Sequence, residues 1–478
     1  MNSSENKLHM AIVGAGGSGT SVQRELLINQ KIDFDILLGV DDAFGSTGVV
    51  TKVLQRLDLS VFKSSNQFED RRRILPIGDT RNNILRILNY THPKGREIAD
   101  ILNQRVEIHE QIKTQIIKDF YKVFELLKIN IKDLGEDFFK ELDLFLTEYF
   151  NVYKKQESKI LNEIRSESNF NIEKLKDLSF GNIFLMFFFL TSDSHKIFFS
   201  RLKVLGLIPE NINFHYISEF RHVLLAKNDD GEAIIGEHNV DSSTRPLSPS
   251  EFYLCPVDRD GKPHTIRNQS GELEYDVIQP EIVQKKFEKI LKNADTIFLA
   301  TGSYANLFTQ VKLLSKVLSK TNGLIIYVSN FARTQNEVHA QFAVDKLYRM
   351  INKQFVTLLV NYNLSSELLS DSNVRVSYRR QGKSFNEADE VFDFLKNNIK
   401  DPIFLERVLP ILNLIHGNES ALDLSAEDFV DKGIKHEPKE IARITIRLSD
   451  IYNQLASNKN KEEDFNKKIL KIDFTKIK

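Results

Sequence analysis

The stretch "LHMAIVGAGGSGTSVQRELL", Leu8 to Leu27, decides the fold. Residues 8–14 read as a buried strand. The glycine, alanine and serine knot reads as a tight connection, and "TSVQRELLINQ" reads as a helix. "FDILLGVDD" follows as a second apolar strand, ending in Asp41 and Asp42. Strand, helix and strand within about 35 residues is the length of a βαβ unit. Strands that are continuously apolar, rather than alternating, suit a parallel sheet covered on both faces. The predicted fold class is therefore α/β, a doubly wound, mostly parallel, Rossmann-like sheet.

Working outward, "VVTKVLQRL" continues as a helix, and "RRRILPIGDTRNNILRILNY" holds a turn around Pro76 and Gly78 before another helix. Residues 1–92 form the first part of the α/β core. The character changes over 93–178, where apolar residues recur at three- and four-residue spacing among dense charge. That pattern predicts amphipathic helices, a helical insertion. The α/β pattern resumes over 179–365. It includes the strand "DTIFLATGS", the strand "GLIIYVSN" and a hairpin insertion near 241–280. Asp229, Asp230 and Gly231 mark a hairpin turn. Residues 366–478 form a mixed, helical C-terminal extension.

Lys plus Arg number 65 and Asp plus Glu 66, a net charge of −1 over 478 residues, which argues against a dedicated nucleic-acid surface. The single cysteine, Cys255, excludes an intrachain disulfide and a multi-cysteine zinc site. A reducing cytoplasm is the expected location. The most apolar run, "IFLMFFFL" from Ile183 to Leu190, is far short of the roughly 20 residues a membrane span needs, so it is expected to be a buried helix segment. The start of the chain lacks a signal-peptide pattern. The 11 histidines are scattered, with no His-x-x-x-His pair.

Ligands of open parallel sheets bind at the carboxyl ends of the strands. Five polar clusters follow apolar strands or open helices. The first is Gly14, Gly16, Gly17, Ser18, Gly19 and Thr20. Gly14, Gly16 and Gly19 have the dinucleotide spacing, and Asp41 ends the next strand where a ribose-binding acid would stand. A phosphate cradle at the start of a helix and a plain tight turn both fit. The second is "VDDAFGSTG", in which Asp41 and Asp42 suit a hydrated Mg²⁺ or a ribose, and Ser46, Thr47 and Gly48 suit a phosphate. The alternative is a helix cap and turn. The third, "PIGDTRN", sets Asp79, Arg81 and Asn82 at a helix start, for a phosphate or base edge or as a cap. The fourth is "FGNIF" with Gly181 and Asn182. The fifth is Gly302, Ser303 and Asn306 with Asn330 after the following strand.

The order of these clusters resembles the CofD/YvcK family. That family comprises the phospholactate transferases of deazaflavin-coenzyme synthesis and the gluconeogenesis-factor branch. The motifs that carry the resemblance run from the opening glycine loop through "DDAFGSTG", "PIGDTRN", "FGNIF" and the Asp230–Gly231 to Gly236–Glu237 pattern to the Gly302–Ser303 turn after "ADTIFLA". They cover roughly residues 8–90 and 178–360, and the chain looks closer to the YvcK branch. It departs from the family where Ala43 and Phe44 precede Gly45, and where Ala300 and Thr301 replace the usual glycine and proline before Gly302.

The resemblance implies a nucleotide or nucleotide-sugar ligand (a UDP-sugar, GDP or an NAD-like dinucleotide), with Asp41 and Asp42 facing a ribose or Mg²⁺. Gly16, Gly17, Gly19 and Thr20 would line the phosphates. Asp79, Arg81 and Asn82 would close the site opposite Asn182, Gly302 and Ser303. Two further readings stay open. One is a Mg²⁺-dependent transferase of phospho-linked groups, in which Asp42, Asp79 and Arg81 act in catalysis. The other is a scaffold or homo-oligomer that uses the helices of 95–178. Neither nucleic acid nor a membrane is an expected partner.

Overall fold

The structure is a computed structural model. It describes residues 7–14, 25–40, 45–59, 70–107, 111–168, 177–228, 232–236, 239–240, 247–258, 261–267, 273–300, 304–328, 347, 349–353, 356–358, 438–455 and 464. In chain order the elements are β1 (Leu8–Val13), β2 (Ile32–Leu38), α1 (Gly45–Leu54), α2 (Gly78–Thr91), α3 (Gly95–Leu102), β3 (Arg105–Glu107), α4 (Ile112–Leu126), α5 (Gly135–Ser168), β4 (Asp177–Ser179), α6 (Phe180–Leu190) and α7 (His195–Val204). Then come β5 (Ile212–Tyr216), β6 (His222–Asn228), β7 (Ala233–Ile235), β8 (Leu247–Pro256), β9 (Thr265–Arg267), β10 (Leu273–Tyr275), α8 (Pro280–Asn293), β11 (Thr296–Leu299), α9 (Tyr304–Leu318), β12 (Leu324–Val328), β13 (Val356–Leu358) and α10 (Pro438–Gln454).

Six strands form one sheet in the order β13-β12-β11-β1-β2-β5, and every pairing in it is parallel. Numbered along the chain, that is 3-2-1-4-5-6 read from the β5 edge, the doubly wound dinucleotide-fold order. The order reverses between β1 and β11. All six carboxyl ends open on the same edge.

The two faces of the sheet are packed differently. On one face, Phe199 of α7 lies 5.6 Å from Phe214 and 5.2 Å from Tyr216, ring centre to ring centre. On the other, Phe287 of α8 meets His215 edge-on at 6.3 Å. Odd-numbered residues of β1, β2 and β5 share this second face, because Leu8 pairs with Ile32 and Asp35 with Asn213. His9, Asp35 and His215 therefore lie on one surface. One Asp35 oxygen is 2.6 Å from His9 Nε2, and the other is 2.6 Å from His215 Nε2.

Between residues 93 and 178 the described chain is mostly helix, in α3, α4 and α5, and these helices pack into the core. β3 and β4 pair antiparallel, with Arg105 opposite Ser179, so the two ends of the intervening segment lie side by side. Between them, α5 runs for 34 residues, about 50 Å at 1.5 Å per residue. Its rings and those of α4 close on α6: Phe120 on Phe184 at 4.7 Å, Phe138 on Phe187 at 5.1 Å, Phe145 on Phe187 at 5.7 Å. All eleven residues of α6 are buried. The Phe-rich run is thus a core helix. Among the described residues no single helix is long and apolar enough to cross a membrane. Further along α5, Glu163 is 2.6 Å from Arg56 Nη2 and 3.7 Å from the buried Lys52 Nζ, which ties α5 to α1.

A three-stranded antiparallel sheet, β7-β6-β8, docks on α9, where Lys312 Nζ sits 3.5 Å over the Tyr253 ring. Asp229, Asp230 and Gly231, the predicted turn, lie outside the described residues, but β6 and β7 pair as a hairpin would. Cys255 is buried in β8, and burial pushes its thiol up to about 12, so it is an inert core residue. From the C-terminal region, α10 returns to pack beside β12, burying Leu448, Ile451 and Tyr452.

Candidate functional site at the carboxyl edge

Three helices begin near this edge, and their first turns meet. Thr47 is the third residue of α1, Asp79 and Arg81 lie in the first turn of α2, and Asn182 is the third residue of α6. The Asn182 amide is fully buried and donates to Thr47 Oγ1 at 3.3 Å. Arg81 Nη1 donates to Ser179 Oγ, and its Nη2 donates to Asn82 Oδ1 at 3.1 Å. The clusters around Thr47, Arg81 and Asn182, more than 130 positions apart at their extremes, thus form one connected patch.

Neither Asp79 nor Asn182 is a helix cap. The cap positions are Ile77 and Ser179, and neither side chain caps its helix. The hydroxyl of Ser179 is turned to Arg81 instead. α2 and α6 therefore lack a side-chain cap and carry the positive ends of two helix dipoles, though the first amide of α6, at Phe180, already donates to the Gln104 carbonyl at 3.1 Å. Gly181 allows the close approach. A Cβ there would stand 2.3 Å from the Leu102 carbonyl and 3.1 Å from Arg81 Cδ.

Gly14 ends β1 with φ +80°, a conformation that favours glycine. A Cβ there would meet Leu307 Cδ1 of α9 at 2.8 Å. Its N–H donates to Gln310 Oε1 of α9 at 3.0 Å. Gly14 is thus a turn glycine gripped by α9, and its amide is already engaged. Any phosphate amides in the knot have to come from later residues. Gly16, Gly17, Gly19, Thr20, Asp41, Asp42, Gly302, Ser303 and Asn330 lie outside the described residues. Ser46 lies in the first turn of α1.

The β5 end forms an outer wall that the sequence does not announce. Thr80 Oγ1 and the Tyr216 hydroxyl are 2.9 Å apart, and burial raises the Tyr216 phenol above its usual range. His195 stacks on Phe189 at 5.2 Å; burial, above all, lowers its imidazole to about 4, so it is neutral at pH 7. Its Nδ1 is 3.7 Å from Glu219, which also binds Lys286 at 3.3 Å. Ser179, Tyr216, His195 and Gln310 join the site by tertiary contact. Only the position of Tyr216 at a strand end could have flagged one of them beforehand.

The chemistry on offer is a guanidinium, side-chain amides and hydroxyls, and helix N-termini. That donor set suits an anion. Among the described residues there is no group of three or more His, Cys, Asp or Glu able to hold a metal ion.

No protein-family model matches the chain, and no curated protein matches it in sequence. Solved structures similar to it include two of protein BH3568 from Bacillus halodurans. One is 14% identical, with a TM-score of 0.46, covering 76% of this chain and 83% of the other. The second, described as a member of the UPF0052 family, is 12% identical, with a TM-score of 0.49, covering 92% of this chain and all of the other.

Proposed function

We propose that the chain is a nucleotide-binding protein of the CofD/YvcK type. Its ligand is a nucleoside diphosphate-sugar or a related diphosphate, seated at the carboxyl edge beside the β1/β11 reversal. The observation that carries this reading is the meeting of three helix starts, through Thr47–Asn182 and Arg81–Ser179, on the ligand edge of a 3-2-1-4-5-6 sheet. The motif order described above is what favours a diphosphate over a monophosphate, since it offers a glycine-rich segment in addition to the Arg81 patch.

Binding to the folded state alone stabilises it, by about 2.7 kcal/mol when the ligand stands at a hundred times its Kd. Thermal unfolding with UDP-N-acetylglucosamine, UDP-glucose, GDP and NAD, each at millimolar concentration, is therefore the test. A raised midpoint with one of them and not the others identifies the class. No shift with any of them defeats the reading. Arg81, a guanidinium able to stabilise a leaving phosphate, also favours a transferase version in which the donor is consumed. Phosphorus NMR of donor and acceptor mixtures separates the two: an unchanged spectrum leaves a binder.

A further inference from the structure

We infer that Gln310 is a positioning residue for the anion-binding turn: from α9, it fixes the direction in which the chain leaves β1. The inference rests on the nucleotide reading for its functional consequence, but its structural part stands alone.

A backbone N–H can only donate. The Gly14 amide therefore has to face an oxygen, and the one it faces is Oε1 of a side chain that is 4% exposed. The contact spans 296 positions in sequence. It joins the last residue of the β1 arm to the second half of the sheet across the point where strand order reverses. Leu307, one turn earlier on α9, occupies the space a side chain at position 14 would need. The Ala300 amide donates to the Val13 carbonyl at 2.8 Å, so the residues leaving β1 and β11 are tied together as well. Gly14 is thus held by a hydrogen bond, and Leu307 leaves no room for a side chain there. Gln310 and Leu307 both come from the helix that begins at Tyr304.

An ordinary role for a buried glutamine is to satisfy its own amide. Gln310 does something further, because it supplies the acceptor for the buried N–H of Gly14, the residue whose φ of +80° starts the turn out of β1. Losing that acceptor would leave a buried donor unsatisfied, which the chain relieves by rotating the turn. A rotated Gly14 changes the direction in which the chain leaves β1. Ligand affinity should therefore respond to position 310 even though Gln310 itself need not touch the ligand.

The test compares Gln310→Met, which keeps the length and loses the acceptor, with Gln310→Glu, which keeps an acceptor oxygen. Isothermal titration uses whichever of the four named nucleotides stabilises the wild-type protein. For Gln310→Met the expected result is about a tenfold loss of affinity, the scale of one hydrogen bond, with a normal folded spectrum. Gln310→Glu should recover to within a few-fold of wild type. Gln310→Met that binds as tightly as wild type overturns the inference, as does Gln310→Glu no better than Gln310→Met. A wild-type protein that binds none of the four defeats the nucleotide reading separately. In that event hydrogen exchange of the Gly14 amide decides. Faster exchange in Gln310→Met than in Gln310→Glu supports the positioning role, and equal exchange in both overturns it.

Discussion

The two faces of the central sheet solve the same packing problem with opposite chemistry. The face under α7, backed by α6, is closed with rings: Phe199 on Phe214 and Tyr216, and behind them Phe187 and Phe184 held by α4 and α5. The face under α8 carries a carboxylate between two imidazoles. The first arrangement rests on non-directional apolar burial, and the His195 ring at the start of α7 is held neutral at pH 7 by that burial. The second adds to its buried Val283, Phe287 and Leu291 an ion cluster that depends on protons. Near neutral pH the protein is therefore expected to be robust on one side of its sheet and tunable on the other.

The ionic state of the second face follows from its geometry. His9 has an acceptor at each nitrogen: the Asp35 carboxylate at Nε2, and the Asn293 carbonyl 3.2 Å from Nδ1. Only the doubly protonated ring donates to both. Asn293 ends α8, so the ring also sits at the negative end of a helix dipole. The hydrogen bond to Asp35 is the largest cause raising His9 above its ordinary 6.5; burial opposes it, and the Asn293 carbonyl and Asp295 add to it. Burial alone would raise Asp35, but hydrogen bonds from His215 and His9 outweigh it and hold the carboxyl well below the usual range.

The sharpest way to break this contrast is Phe187→Ala. It leaves a cavity among Phe120, Phe138 and Phe145 and should cost about 3–5 kcal/mol, read as a lowered urea midpoint. A loss under about 0.5 kcal/mol, the scale of a surface change, would mean that the ring packing is not what secures that face. Asp35→Asn comes next. It leaves two histidines against a neutral amide and should cost roughly 1–3 kcal/mol at pH 6.

Smaller still is the pH effect. Because His9 is raised, its contribution is complete below pH 6.5 and is lost as pH rises through the raised value. His222 and His195, lowered to about 4 chiefly by burial, act in the other window: their contributions are complete above 6.5 and are lost as pH falls toward 4. Thermal midpoints from pH 6.5 to 8.5 should therefore decline in the wild type and stay level in His9→Gln. Equal slopes in the two proteins would refute the imidazolium assignment. At the bottom of the scale, Glu281→Gln breaks an exposed pair with Lys316 and should leave the midpoint unchanged, since solvated ion pairs contribute little.

Much of the sheet was legible because it is built from unbroken apolar runs. "LHMAIV" and "TIFL" announce buried parallel strands whatever surrounds them. Asp35 was hidden by the same logic, since an acid inside "IDFDILL" does not disturb the apolar reading, and its two partners come from other strands. β3 and β4, three residues each, are too short for any periodicity. At the site, Thr47, Arg81 and Asn182 were legible as polar residues at helix starts. What they bind was not. Arg81 takes Ser179, and Thr47 takes Asn182, through contacts that only the folded topology creates. The opening glycine knot gave a spacing, but the fate of the Gly14 amide was decided by Gln310, nearly 300 positions away.

The short ribbon of β3 and β4 has a consequence for how the chain tolerates change. Because Arg105 faces Ser179, everything between them is a detour that leaves the main path and rejoins it at the same place. Its length is not set by the register of the main sheet, whose six strands all lie outside it. What cannot change is the umbrella it holds over α6. A shortened version would have to bring its own cover for Phe184, Phe187 and Phe188, or the molecule would acquire an oily surface where it now has an interior.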